Sequence, residues 1–178
     1  MRRDNALWAM LDGRAPLPGA ARTLGWRFDA HNETDRSVSV SFAAWTALLD
    51  ARGRVHPGLL AAMLEESMHT AVAAELAPGC VATGVESNMA YAGCAWPGRI
   101  FGYARIERWR GSVCAVFARL SDRMGRTLAT ATASYRIAAP PWRVCASPSP
   151  SRRGLRCRLR KRAATKPRRR VAAPSRRM

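Results

Sequence analysis

Polar and apolar residues alternate with period two along Arg36-Ser-Val-Ser-Val-Ser-Phe42. That is the pattern of a strand with one face buried. Gly25–His31 can serve as its partner, with Asn32-Glu-Thr-Asp35 supplying turn residues between the two. The pair reads as a hairpin. Ahead of it, residues 1–22 hold a short apolar stretch and then Gly13, Pro16, Pro18 and Gly19, a helical turn followed by a loop. Behind it, Phe42 to Val55 carries Trp45, Leu48, Leu49 and then Asp50-Ala-Arg-Gly53, a short helical turn running into a loop.

The periodicity then changes. His56-Pro-Gly58 opens a helix predicted over Gly58–Leu76, and Leu59-Leu-Ala-Ala-Met-Leu64 is apolar on every side. A surface helix shows one apolar stripe, whereas a helix apolar all round is enclosed. Glu65, Glu66 and Ser67 interrupt this run midway, so polar groups enter a buried element. Pro78-Gly79 ends it. Four strand-like segments follow: Val81–Tyr91, Gly98–Trp109, Ser112–Ser121 and Thr127–Ile137. Their breaks, Ala95-Trp-Pro-Gly98, Arg110-Gly111 and Asp122-Arg-Met-Gly125, are turn chemistry. Short connections make the last three an antiparallel meander. The expected fold is therefore α+β, an antiparallel sheet wrapped around one long central helix.

Charge changes the picture only at the C-terminal end. The chain of 178 residues carries a formal +18. Up to Ala139, sixteen basic residues face twelve acidic ones; from Pro140 onward there are fourteen basic residues and no acid. The tail, with its Pro-Ser-Pro-Ser and clustered Arg, is expected to be disordered, since it cannot bury enough surface to offset chain entropy. It reads as a solvated segment or an out-of-frame extension of a GC-rich gene. Its one route to a partner is nonspecific contact with nucleic-acid phosphates, and no recognition helix or aromatic interleaving accompanies it. The expected organisation is an extension over 1–22, a domain over 23–138 and a tail over 139–178. Five widely spaced cysteines without a C-x-x-C pair suggest neither a metal site nor a disulfide framework, and point to a reducing cytoplasm. Ala6–Leu11 is too short for a signal-peptide core, and nothing resembles a membrane span.

The segment Val55-His-Pro-Gly-Leu-Leu-Ala-Ala-Met-Leu-Glu-Glu-Ser-Met68, on a helix wrapped by an antiparallel sheet, resembles the PaaI-like acyl-CoA thioesterases of the hotdog superfamily. Their helix opens on H-G-G, followed by an apolar run and an acid. Here His56, Gly58 and Glu65 fall on those places. Glu86-Ser-Asn-Met-Ala-Tyr91 is similar to the family's central strand, and Ala129-Thr-Ala-Thr-Ala-Ser-Tyr135 to its last strand. The resemblance spans about residues 23–138. It departs at Pro57, which replaces a glycine and removes one N–H. It departs again at Glu65, where an Asp is frequent, and at Asp50, which stands near the place of a common Asn.

The resemblance implies a hydrolase that cleaves acyl-CoA, without metal or other cofactor, as a homodimer or a tetramer built from one. Glu65 would act as base or nucleophile. The helix N-terminus at Gly58 would receive the oxyanion, with Pro57 beside it. Seven residues separate Gly58 from Glu65, about 10 Å along a helix, so in the family's arrangement Gly58 of one chain faces Glu65 of the other. Asp50 could orient water or His56. Thr83 or Gly84 would assist the water, and Asn88, Arg99 and Arg108 would contact substrate, the arginines through phosphates. Blander roles compete with each of these. Adjacent helix charges such as Glu65 and Glu66 usually form a solvated face, and Glu66 reads as structural. His56 can simply cap the helix, Asp50 can be a turn residue, and His31 and His69 look incidental. Trp45 and Met63 pack the core or an acyl tunnel. Two other functions stay open: a non-catalytic acyl-CoA binder on the same fold, and a hotdog hydratase or dehydratase.

Overall fold

The structure, a computed structural model, describes residues 5–139. The expected basic tail beyond Ala139 lies outside the described residues. The elements, in chain order, are α1 (Ala6–Leu11), α2 (Gly19–Thr23), β1 (Arg27–Asn32), β2 (Ser37–Ala44), a 3₁₀ turn (Thr46–Leu48), α3 (Pro57–Glu75), β3 (Val81–Tyr91), β4 (Gly98–Arg110), β5 (Val113–Ser121) and β6 (Thr127–Ala138). Each strand read from alternation is present, with no end moved by more than two residues.

The six strands form one antiparallel sheet in the order β1-β2-β4-β5-β6-β3. The meander β4-β5-β6 is as expected. The chain leaves β2, passes through α3 and re-enters the sheet at the opposite edge as β3. Bulges at Phe28/Ala30, Gly84/Glu86 and Ile106/Arg108 interrupt the ladders. Each adds local twist, and together they curve the sheet around the helix.

Alternation decides what that helix touches. Val38, Val40, Phe42, Ile100, Ala104, Val116, Ala118, Leu120, Ala129, Ala131 and Tyr135 face inward and are buried. Many are alanines, so α3 can lie close to the strands. From the helix, Met63, Leu64, Met68 and Val72 are fully buried, each stabilising the fold by about 1.5–3 kcal/mol. Trp45, in contrast, is not in the core: it is half exposed, with its Nε1–H donated to the Thr23 carbonyl.

The first described residues, from Asn5 onward, are built into the domain. Asn5 is buried and serves two helices at once. Its Oδ1 accepts from the N–H groups of Leu7 and Trp8, capping α1. Its Nδ2 donates to the carbonyls of Ala73 and Leu76 at 2.7 and 3.0 Å, satisfying the end of α3. Below it His31 meets Glu75 at 2.9 Å, both side chains nearly buried. No helix among the described residues is long and apolar enough to cross a membrane.

Candidate active site

Helix α3 carries the site because its sequence forces an acid into an apolar setting. His56 caps it and Pro57 occupies the first turn, where a missing N–H costs nothing within the helix. Two turns on, Glu65 points at the β3–β6 edge of the sheet. The Tyr135 hydroxyl donates to Glu65 Oε1 at 2.8 Å. Glu65 Oε2 is buried and has no hydrogen-bond partner among the described residues. One oxygen is thus held, and the other has no partner among the described residues. Burial, and then the bond to the Glu65 carboxylate, push the Tyr135 phenol well above its ordinary pKa. The tyrosine therefore stays a donor.

Strand register settles the choice between Thr83 and Gly84. Gly84 is paired with Tyr135, so both face α3, and a Cβ at Gly84 would lie 3.2 Å from Glu65 Oε1. Thr83 is paired with exposed Arg136 and faces outward. The sequence expectation of Thr83 beside the acid is corrected on that ground, because neighbours in a strand face opposite ways. The position that does face Glu65 has no side chain. Asn88 also lies on the outer face, since the bulge at Val85 puts Glu86 and Asn88 opposite Ser134 and Thr132. Its Nδ2 donates to Glu86 Oε1 at 3.3 Å.

At the helix start, the Gly58 N–H donates to His56 Nδ1 at 3.0 Å, and Leu59 N–H is bound to the His56 carbonyl. With no N–H on Pro57, the first-turn donors are engaged by the cap. Asp50 borders this end of the helix in a cleft of about 80 Å³ shared with Pro57 and Cys94. Its carboxylate accepts the N–H groups of Arg52 and Arg54 and pairs with the Arg54 guanidinium at 3.1 Å. The Arg54 backbone N–H is the leading cause that holds its pKa below the usual carboxylate range. Asp50 is a turn-forming residue, and no hydrogen bond joins it to His56. Arg99 and Arg108 are exposed near opposite ends of β4, about 30 Å apart at strand spacing. Within one chain they cannot meet one cluster of phosphates.

Glu66, read as structural, faces a different space from Glu65. Burial raises its pKa, with His69 opposing and Glu65 adding to the effect. A carboxyl with a raised folded pKa stabilises while protonated and loses that contribution as pH rises through the folded value. Glu66→Gln is therefore expected to be more stable than the natural chain at neutral pH, with the difference vanishing below about pH 4. Chemical denaturation at the two pH values checks this. Two features escaped the sequence reading, Tyr135 and the His31–Glu75 pair. The sole signal for Tyr135 was a bulky hydroxyl at the end of an otherwise small inward row, Ala129, Ala131, Ala133. Among the described residues no group of three or more His, Cys, Asp or Glu side chains is placed to hold a metal.

A curved antiparallel sheet closed around one central helix, with an acid on that helix, defines a hotdog domain. Solved structures agree. A phenylacetic acid degradation-related protein of Ralstonia eutropha JMP134 is 35% identical, with a TM-score of 0.72 over 74% of this chain and 99% of its own. The PaaI protein of E. coli from the phenylacetic acid degradation operon is 12% identical, with a TM-score of 0.66 over 75% and 94%. A thioesterase family protein of Silicibacter pomeroyi is 21% identical, with a TM-score of 0.64 over 74% and 95%. No protein-family model and no curated protein sequence matches. The chain belongs to the PaaI-like thioesterase family of hotdog proteins.

Proposed function

We propose that the protein hydrolyses an acyl-CoA thioester, with Glu65 as general base or nucleophile and the α3 N-terminus at Gly58 as oxyanion site. The half-satisfied Glu65 carboxylate is the observation that carries this reading. Tyr135 fixes one oxygen, and the other is buried with no partner among the described residues. As a base, that oxygen takes a proton from water while the water oxygen bonds to the thioester carbon. The carbonyl becomes an oxyanion, the C–S bond then breaks, and the proton passes to the leaving thiolate. As a nucleophile, the carboxylate bonds to the carbon itself, the C–S bond breaks to release the thiolate and leave an anhydride, and water then cleaves the anhydride to the free acid and the Glu65 carboxylate, its second proton passing to the thiolate.

Gly58 and Glu65 of one chain are too far apart along α3 to share a carbonyl. The reading therefore uses a second copy. Strand β3 supports it: an eleven-residue edge with exposed Val85 and Tyr91, of the kind that pairs with another chain. Gly58 can donate to the oxyanion once the exposed His56 ring turns aside. Mixing tests the geometry. Glu65→Gln and Gly58→Pro chains, each inactive alone, are expected to recover roughly a quarter of natural thiol release when combined and re-dimerised, because half the dimers regain one intact site of two. No recovery would place both groups in one chain's site or dismiss one of them.

A non-catalytic acyl-CoA binder is the second reading. It is favoured by the cap that engages the Gly58 N–H and by the missing side chain at Gly84. Thiol release across a panel of short, long and aromatic acyl-CoA substrates separates the two, since a binder saturates with ligand and releases none.

A further inference from the structure

The middle of the sheet is charged on one face. Strands β4, β5 and β6 carry six arginines, Arg99, Arg105, Arg108, Arg110, Arg119 and Arg136, against one acid, Glu107. Every one of these arginines is exposed and, by strand register, lies on the outer side, away from α3. Arg105 is paired with Glu107 at 3.0 Å. The other five have no ion-pair partner among the described residues. Up to Ala139 the chain holds sixteen basic residues and twelve acidic ones, so it is the fold that gathers this charge.

Three rings stand among the arginines. Phe101 is 38% exposed, and Tyr103 and Phe117 are half-buried. Their strand neighbours Ile100, Gly102, Ala104, Val116 and Ala118 are buried against the core, so all three rings lie on the outer face. Tyr103 is paired with Arg119, and Phe117 with Arg105. Phe101 is one step of about 7 Å from Tyr103 along β4, and Phe117 lies diagonally across from Tyr103 at about 7–8 Å. None of the three stacks on another ring among the described residues. The solvated face of an antiparallel sheet is ordinarily polar. Rings with open faces, set between unpaired guanidinium groups, form a stacking platform with its counter-charge.

Charge decides what covers such a face. A second copy packed back to back would set arginines against arginines. The chain's own end has the same sign, with fourteen basic residues and no acid from Pro140 onward. A polyanion is complementary. The rings then choose among polyanions, because a base offers a π-face and a bare phosphate chain offers none. We propose that the outer face of β4, β5 and β6 binds single-stranded nucleic acid, with bases stacked on Phe101, Tyr103 and Phe117 and phosphates held by Arg119 and its neighbours. Backbone charge and base faces carry little sequence information, so the binding is sequence-tolerant. The surface lies across the sheet from Glu65 and does not depend on the hydrolase reading.

Fluorescence anisotropy of the full chain tests this. The probes are labelled oligouridine and oligothymidine of about 12 nucleotides, which separate RNA from DNA as the source, and an abasic phosphodiester of equal length and charge. The natural chain is expected to bind at least one base-bearing strand about tenfold or more tighter than the abasic one. The double change Phe101→Leu and Phe117→Leu keeps apolar bulk but removes two rings. It should abolish most of that preference and leave the salt dependence unchanged. Arg119→Gln should keep the preference and lower the slope of log affinity against log salt by about one. Thermal midpoints report whether each variant folds. If the ring variant does not, photo-crosslinking of the natural chain to iodouridine-substituted strands decides, and adducts at Phe101, Tyr103 or Phe117 uphold the assignment. Equal affinity for base-bearing and abasic strands, a preference unchanged in the folded ring variant, or adducts confined to residues 140–178 overturn it. Sedimentation of the ring variant as a smaller assembly, with nucleic-acid affinity unchanged, also overturns it and makes the face a contact between copies.

Discussion

Glu65→Gln will lower kcat for thioester hydrolysis by about two to four orders of magnitude, the usual contribution of a positioned base or nucleophile. The substitution is nearly isosteric, and the amide oxygen can still accept the Tyr135 hydroxyl that now meets Glu65 Oε1 at 2.8 Å. What it loses is the free oxygen, Oε2, which can no longer take a proton or bond to carbon. The fold should hardly notice. That oxygen is buried without a partner, so its removal breaks no hydrogen bond, and the thermal midpoint should stay within about 4 °C. Tyr135→Phe makes the informative contrast. It leaves the carboxylate in place but unheld, so turnover should fall by a smaller factor, through loss of orientation rather than loss of chemistry. Activity of Glu65→Gln at the natural level, measured as thiol released per folded protein, would remove Glu65 from the mechanism.

The sequence made Glu65 visible and left Tyr135 hidden, for reasons that differ in kind. An acid inside an apolar helical run is a local conflict, readable within about ten residues of chain. Tyr135 stands 70 residues away, and only the β3–β6 register puts it against the same carboxylate. The choice between Thr83 and Gly84 turns on which face of β3 meets the helix, and the strand's composition does not say. The bulge at Gly84/Glu86 then reverses the alternation for the rest of β3, so Asn88 lands on the outer face. The six strands and the central helix were legible because turn residues bracket each one and period-two alternation is local. The docking of α1 was not. It depends on one asparagine reaching the far end of α3, and Asn5 looks like any polar residue before a short helix. The Gly58 N–H likewise looked available from H-P-G alone; the His56 ring folding back onto it is a matter of rotamer.

Gly102→Val should be the most damaging single change to the fold described here. Gly102 sits at the middle of β4, buried between Val40 of β2 and Leu120 of β5, directly under α3. A Cβ there would fall 2.5 Å from Ser67 Oγ, 2.8 Å from Val40 Cγ2 and 3.2 Å from Phe42 Cε2. Ser67 cannot simply swing aside without cost, because its hydroxyl donates to the Met63 carbonyl at 2.7 Å on a fully buried turn. Overpacking of this kind costs about 1–3 kcal/mol per event and more when several neighbours are hit. We expect at least about 3 kcal/mol for valine, or roughly 10 °C in thermal midpoint. Alanine should cost less. Its penalty should fall further when Ser67→Ala removes the nearest atom, a coupling of about 1 kcal/mol in a double-mutant cycle. The same displacement reaches the chemistry. Glu65 lies two residues before Ser67 on the same rigid helix, so relief of the clash moves its carboxylate away from Tyr135. An error of about 1 Å in such a group costs on the order of a hundredfold in rate. Folded Gly102→Ala protein should therefore lose far more turnover than stability, and Ser67→Ala should restore both together.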